Sequence, residues 1–257
     1  MTFKKGSSVF LQLFQKYASF YLRQYDHLEI QDFVFPDNLD LHAAQILKEY
    51  QKLLQDFQGT LSLHGPFKEL NLSSMDPQVH KLALKRLCQA LLCGKDLGCS
   101  TLVVHSCYNP LQNYPDYEDN WVENAVPFWE QFLPFCEQHN IRVVLENIWD
   151  RTPRPIQRLV DHFQSPLLKA CLDTGHAHIS SRLRLEEWTN ILGENLAHIH
   201  LHDNFGDLDQ HFPAGQGSID FSWLAKLKER ENIPIVNEAY GFLEEENCFL
   251  DFMLNYD

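Results

Sequence analysis

Residues 76–105, DPQVHKLALKRLCQALLCGKDLGCSTLVVH, contain one full repeat of the architecture. Asp76 followed by Pro77 is a helix start, because a carboxylate can accept from the free N–H groups of the first turn and proline suits the first helical position. Leu82, Leu87 and Leu91 belong to an apolar stripe, and Gly98 ends it. The run TLVVH follows at once and reads as a strand that closes on His105.

Working outward, six further β-type runs end at or beside a carboxylate or imidazole. They are LEI with Glu29, LSLH with His64, RVVLE with Glu146, KACLD with Asp173, HIHLH with His200 and PIVNE with Glu238. The spacing of roughly 30 to 40 residues is that of a βα repeat whose strand ends meet on one face. Helical segments lie between the runs: WVENAVPFWEQFLPFCEQHN before RVVLE, SRLRLEEWTNILGENL before HIHLH, and FSWLAKLKEREN before PIVNE. An eighth strand is expected at FKKG, residues 3–6, ahead of the helical stretch SVFLQLFQKYASFYLRQ. The expected fold is therefore α/β, a single (β/α)8 TIM barrel over residues 1–257 with its site at the carboxyl ends of the strands.

Composition limits the alternatives. A length of 257 residues suits one such barrel, and 44% hydrophobic with 22% charged residues is ordinary for a globular domain. No apolar run reaches the roughly 20 residues that span a bilayer, and the N-terminus lacks a clear cleavage site, so neither a membrane segment nor a signal peptide is expected. Seven cysteines without a CxxC pair point to reduced thiols and a cytoplasmic location. Cys107 lies close enough to His105 to see the site, but nothing marks it as a nucleophile. A formal net charge of −14 argues against a broad grip on nucleic acid. Bound divalent cations would offset part of that charge.

Strand alternation puts His198, His200 and His202 on one face of their run, with Ile199 and Leu201 on the other. Imidazoles and carboxylates converging on the rim are ligands for zinc, manganese or iron(II). Two motifs add to them. DTGHAH places His176 three residues after Asp173, and HDNFGDLDQHFPAGQG brings Asp209 and His211 after the His200 strand, both read as loops leaving the rim.

The motifs LHGPF, LVVHSCY, VVLEN, CLDTGHAH, HIHLHDNFGDLDQHFPAGQGSIDF and PIVNEA resemble the xylose isomerase-like TIM-barrel superfamily, which holds sugar phosphate isomerases and epimerases together with endonuclease IV. The most specific part is the D-x-H-x-P-x-G-x-G stretch from Asp209 to Gly217. The resemblance implies nine metal ligands: His64, His105, Glu146, Asp173, His176, His200, Asp209, His211 and Glu238. It assigns His64 and His105 to one ion with Glu146 bridging to a second, held also by Asp173, His200 and Glu238. His176, Asp209 and His211 would hold a third ion or bind substrate. One to three ions, zinc or manganese, are thus expected.

Two enzymatic readings follow from the resemblance. In the first, an isomerase or epimerase acts on a sugar or sugar phosphate, with Glu146 and Glu238 shuttling a proton through an enediolate. In the second, an endonuclease IV-like phosphodiesterase acts on abasic-site DNA or another phosphoester, and nucleic acid is a partner under that reading alone. The nine ligands favour the second. The acidic balance and the lack of a loop rich in Arg and aromatics favour the first, which is preferred. A metal-binding barrel without turnover is the third reading. Lys68, Trp149 and Arg151 are the expected substrate contacts, as cations for a phosphate and an apolar wall for a sugar ring. His198 is expected deep in the barrel, with His202 and Glu29 as partners of the ligands and Asn147 and Asp203 as orienting groups. His27, His42, His80, His139 and His162 are read as structural or exposed.

Overall fold

The structure, a computed structural model, describes residues 3–112, 114–227, 232–241 and 243–256. Eight parallel strands close into a barrel in chain order. They are β1 (Lys4–Val9), β2 (His27–Ile30), β3 (Thr60–His64), β4 (Thr101–His105), β5 (Arg142–Glu146), β6 (Leu168–Asp173), β7 (Leu196–Leu201) and β8 (Pro234–Asn237). The helices are α1 (Leu11–Gln24), α2 (Ala43–Leu54), α3 (Pro77–Leu97), α4 (Tyr117–His139), α5 (Arg154–Phe163), α6 (Thr174–Ser180), α7 (Leu185–Leu192) and α8 (Leu243–Met253). None of the described helices is long and apolar enough to cross a membrane.

The expected eighth strand exists and is longer than FKKG. Lys4 to Ser7 pair with Pro234 to Asn237, while Gly6 to Val9 pair with His27 to Ile30, so β1 closes the barrel on both edges. Ser8 and Val9, expected in the following helix, are drawn into the strand by that second pairing. In the αβ unit at residues 76–105, the Asp76 carboxylate accepts from the Gln78 N–H at 2.8 Å, and Gly98 stops α3 in the left-handed region at φ 77°.

Three boundaries differ from the sequence reading. DTGHAH is not a loop: Asp173 caps α6, accepting from the His176 N–H at 2.7 Å. FSWLAKLKEREN gives a 3-10 helix at Ser222–Leu227, and its continuation over 228–231 lies outside the described residues. Glu29 is the third residue of β2, not its end, and pairs in register with Ser62, two residues below His64.

Two cores result from strand alternation. Leu102, Val104, Val143, Leu145, Leu172, Ile199 and Leu201 face outward and pack with the helices around the barrel. Val103, Val144 and Cys171 form a small separate cluster. Moving two residues along each of their strands reaches His105, Glu146 and Asp173, so the same period that fills the barrel delivers these side chains to its rim.

Candidate metal centre

All nine expected ligands reach the carboxyl end of the barrel, where Glu146 joins them. Its Oε2 lies 3.1 Å from His64 Nε2, 3.5 Å from His105 Nε2 and 3.4 Å from His200 Nδ1. Its Oε1 lies 3.3 Å from His176 Nδ1. His200 Nδ1 in turn is 3.3 Å from Glu238 Oε2 and 3.9 Å from Asp173 Oδ2. Glu146, Asp173 and Glu238 thus surround one imidazole nitrogen. Towards the mouth, Asp209 Oδ2 is 3.4 Å from His176 Nε2 and 3.2 Å from His211 Nε2.

Local backbone explains these orientations. His64 Nδ1 donates to the Gly65 carbonyl at 2.9 Å, His176 Nδ1 to that of Asn147 at 3.1 Å, and His211 Nδ1 to that of Glu238 at 2.7 Å. Each bond fixes the ring and turns Nε2 towards the site. Asn147 also pairs with the Asp173 main chain through both ends of its amide, at 3.0 and 2.9 Å. The Asp209–His211 segment is folded back over the rim because Asp203 bridges to Phe212, while the Asp203 carboxylate accepts from the N–H groups of Asn204, Gly215, Gly217 and Ile219. A side chain at Gly217 would strike that carboxylate, and one at Gly175 would overlap the His202 ring. Both glycines are therefore required by close approach.

His202 donates through Nε2 to Asp173, 3.0 Å from Oδ1, and stacks on His211 with ring centroids 3.7 Å apart. It therefore touches two of the nine expected ligands, Asp173 and His211. His198 is wholly buried, with Nε2 3.0 Å from Glu29 Oε2. His27 is also inside the barrel, where its ring nitrogens lie 2.8 Å from the Thr60 and Ser62 hydroxyls. Its short polar neighbours, both on the next strand and two residues apart, are the signal that marks it as structural.

The donor set suits a divalent cation. Both ring nitrogens of His200 are buried without a hydrogen bond of proper geometry, although carboxylates crowd them. Groups of three or four possible ligand atoms lie within 4.8 Å of one another, including His64–His105–Glu146, Glu146–Asp173–His176 and His176–His202–Asp209–His211. Electrostatics show the same demand for positive charge. Burial alone would push Glu146 up, but the imidazoles of His200 and His176 beside it hold it well below the usual carboxylate range. Burial opposes a charge on His200, yet the surrounding anions raise it well above the ordinary histidine value. His105, against Phe67 at 4.2 Å, is held neutral by burial, down to about 3.

A cavity of about 1080 Å³ opens above these ligands. Its walls include Phe35, Phe67, Tyr108, Trp149 and Tyr240, and Lys68 is the only Lys or Arg among its described lining residues. Lys68 Nζ sits 5.2 Å from the Phe67 ring centre, and Trp149 is half exposed at 52%. Arg151 is not on this wall. It lines an adjoining cleft with Tyr108, Tyr117 and Arg158, and Arg158 is paired with Glu118 and Asp119. Cys107 lines the cavity, but burial pushes its thiol up to about 12, which leaves it protonated.

A family profile described as xylose isomerase-like TIM barrel matches residues 24–244. The chain belongs to that family. Among its relatives is the uncharacterised protein MJ1311 of Methanocaldococcus jannaschii, 29% identical over 71% of this chain and 65% of the relative, so the chain spans about two thirds of that protein. A D-tagatose 3-epimerase-like protein of known structure is 25% identical, with a TM-score of 0.81 over 98% of this chain and 97% of the other. The TTHB071 protein of Thermus thermophilus, solved after soaking with ZnCl2, is 24% identical with a TM-score of 0.78 over 98% of this chain and 97% of the other.

Proposed function

We propose that this chain is a divalent-metal-dependent isomerase or epimerase of a sugar or sugar phosphate, with Glu146 and Glu238 as the catalytic acid–base pair. The observation that carries the reading is the convergence of Glu146, Asp173 and Glu238 on His200 Nδ1 at the floor of a cavity with aromatic walls. Zinc or manganese bound by that set would supply Lewis-acid polarisation of a carbonyl and a neighbouring hydroxyl oxygen. Glu146 comes from the end of β5 and Glu238 from just beyond β8, so the two carboxylates approach a bound ligand from different strands. One removes the proton from the carbon beside the carbonyl, giving an enediolate, and the other returns a proton there or at the adjacent carbon. Gln31 Nε2 donates to Glu238 Oε1 at 3.1 Å and keeps that carboxylate aimed. Trp149 would wall the sugar ring, Lys68 would meet a phosphate, and Arg151 would be reached only by a substrate long enough to enter the adjoining cleft.

A metal-dependent phosphodiesterase is the second reading, favoured by the outer group of His176, Asp209 and His211, which a one-ion epimerase does not need. The single cation on the described cavity wall weighs against it, since phosphodiester substrates are gripped through several. The test is to load the protein with Mn2+ or Zn2+ and incubate it in D2O with a panel of ketoses and ketose phosphates, beside an abasic-site oligonucleotide. Deuterium entering a carbon next to the carbonyl, dependent on metal, is the expected result. Strand cleavage without exchange in any sugar would replace this reading with the second.

A further inference from the structure

Glu29 is fully buried, is not on the cavity wall and is not one of the nine ligands. Nevertheless its two oxygens meet four side chains. Oε1 lies 3.0 Å from His200 Nε2 and accepts from Gln31 Nε2 at 3.2 Å. Oε2 lies 3.0 Å from His198 Nε2 and accepts from Ser62 Oγ at 2.7 Å. The same Gln31 nitrogen that reaches Glu29 also reaches Glu238 Oε1, so one amide joins the buried carboxylate to the catalytic one.

His200 differs from its fellow ligands in what faces its outer nitrogen. For His64, His176 and His211 a backbone carbonyl fixes the ring. On His200 a carboxylate stands in that place, Glu29 Oε1 lying 3.0 Å from Nε2 as a charged contact instead of an aligned hydrogen bond. A carboxylate there does more than a carbonyl, because its charge makes the opposite nitrogen a stronger donor as well as fixing which nitrogen carries the proton.

We infer that Glu29 is a positioning residue of the metal centre: it holds Nε2 of His200 so that Nδ1 faces Glu146, Asp173 and Glu238, and through Gln31 it fixes Glu238. This rests on the metal reading proposed above. Ser62 supports the arrangement from below. Its hydroxyl donates to Glu29 and so receives from His27 Nε2, which ties the buried carboxylate to β3 and to the start of β2.

The test is metal affinity, which needs no substrate. Chelator-stripped protein is titrated with Mn2+ by calorimetry, for the natural chain and for Glu29→Gln, which keeps the side chain's shape and removes its charge. Glu29→Gln should bind about 10- to 100-fold more weakly while keeping its circular dichroism. A folded variant with an unchanged dissociation constant overturns the inference and leaves the metal reading standing, whereas a natural chain that binds no metal overturns both. Should the variant fail to fold, the natural chain loaded with Zn2+ and labelled with 15N-histidine decides the matter. His200 should then carry its proton on Nε2 and bind through Nδ1, and a resonance pattern with metal on Nε2 overturns the inference.

Discussion

Glu146 touches His64, His105, His176 and His200, so its oxygens connect the inner and outer ligand groups. Glu238 has fewer contacts and keeps 11% of its side chain exposed towards the cavity, which suits a group that exchanges protons with substrate. Glu238→Gln should lower kcat for the ketose that shows exchange by about 10³-fold, within the usual range for general acid–base catalysis. Activity within tenfold of the natural chain would remove Glu238 from the mechanism. Asp150 makes a separate prediction. It accepts from Ser106 Oγ and the Ile148 N–H, but its other oxygen is buried without a partner, and burial pushes the carboxyl up to about 7. A raised folded-state pKa means the protonated form is the folded one, so this stability is complete below about pH 4 and is lost as pH rises through 7. Urea unfolding from pH 4 to 8 should show a decline, on the order of 4 kcal/mol at most, that Asp150→Asn lacks. Parallel pH curves for the two proteins would refute it.

At the scale of elements, the segment after β7 carries Asp209 and His211 but is held by Asp203, which is not one of the nine expected ligands. Asp203→Ala would free the N–H groups of Asn204, Gly215, Gly217 and Ile219 together. Amide exchange over residues 204–219 should quicken while the barrel strands keep their protection, and stability should fall by about 2–4 kcal/mol. Unchanged exchange in that segment would show that Asp203 does not hold it. The strands and the carboxylates and imidazoles at their ends were legible because a period of two and a βα spacing are both written in single residues. The helix at DTGHAH was not, since its start depends on Asp173, read as a ligand, serving as the cap, and a seven-residue helix leaves little periodicity to read. Nor was the depth of Glu29 legible. Its placement follows from the register of β2 against β3, which the sequence of either strand alone does not contain.

Over the whole molecule, an acidic chain closes a barrel around a rim where buried carboxylates face buried imidazoles, and a bound cation would relieve that crowding. Metal present at a hundred times its dissociation constant should stabilise the folded protein by about 2.7 kcal/mol, raising Tm by roughly 5 to 10 °C, and chelator should reverse it. A Tm indifferent to metal would count against the site. The barrel itself was legible even in its closing strand, whose position was right and whose length was short because pairing to two neighbours is a property of the closed sheet. What the sequence left open was where each expected contact faces: Lys68 and Trp149 reach the cavity, while Arg151 turns to the next cleft. The most direct test of the central claim is anomalous diffraction from crystals of the protein grown with Mn2+. The account predicts a peak coordinated by Glu146, Asp173, His200 and Glu238, and crystals with no peak among those four side chains would contradict it.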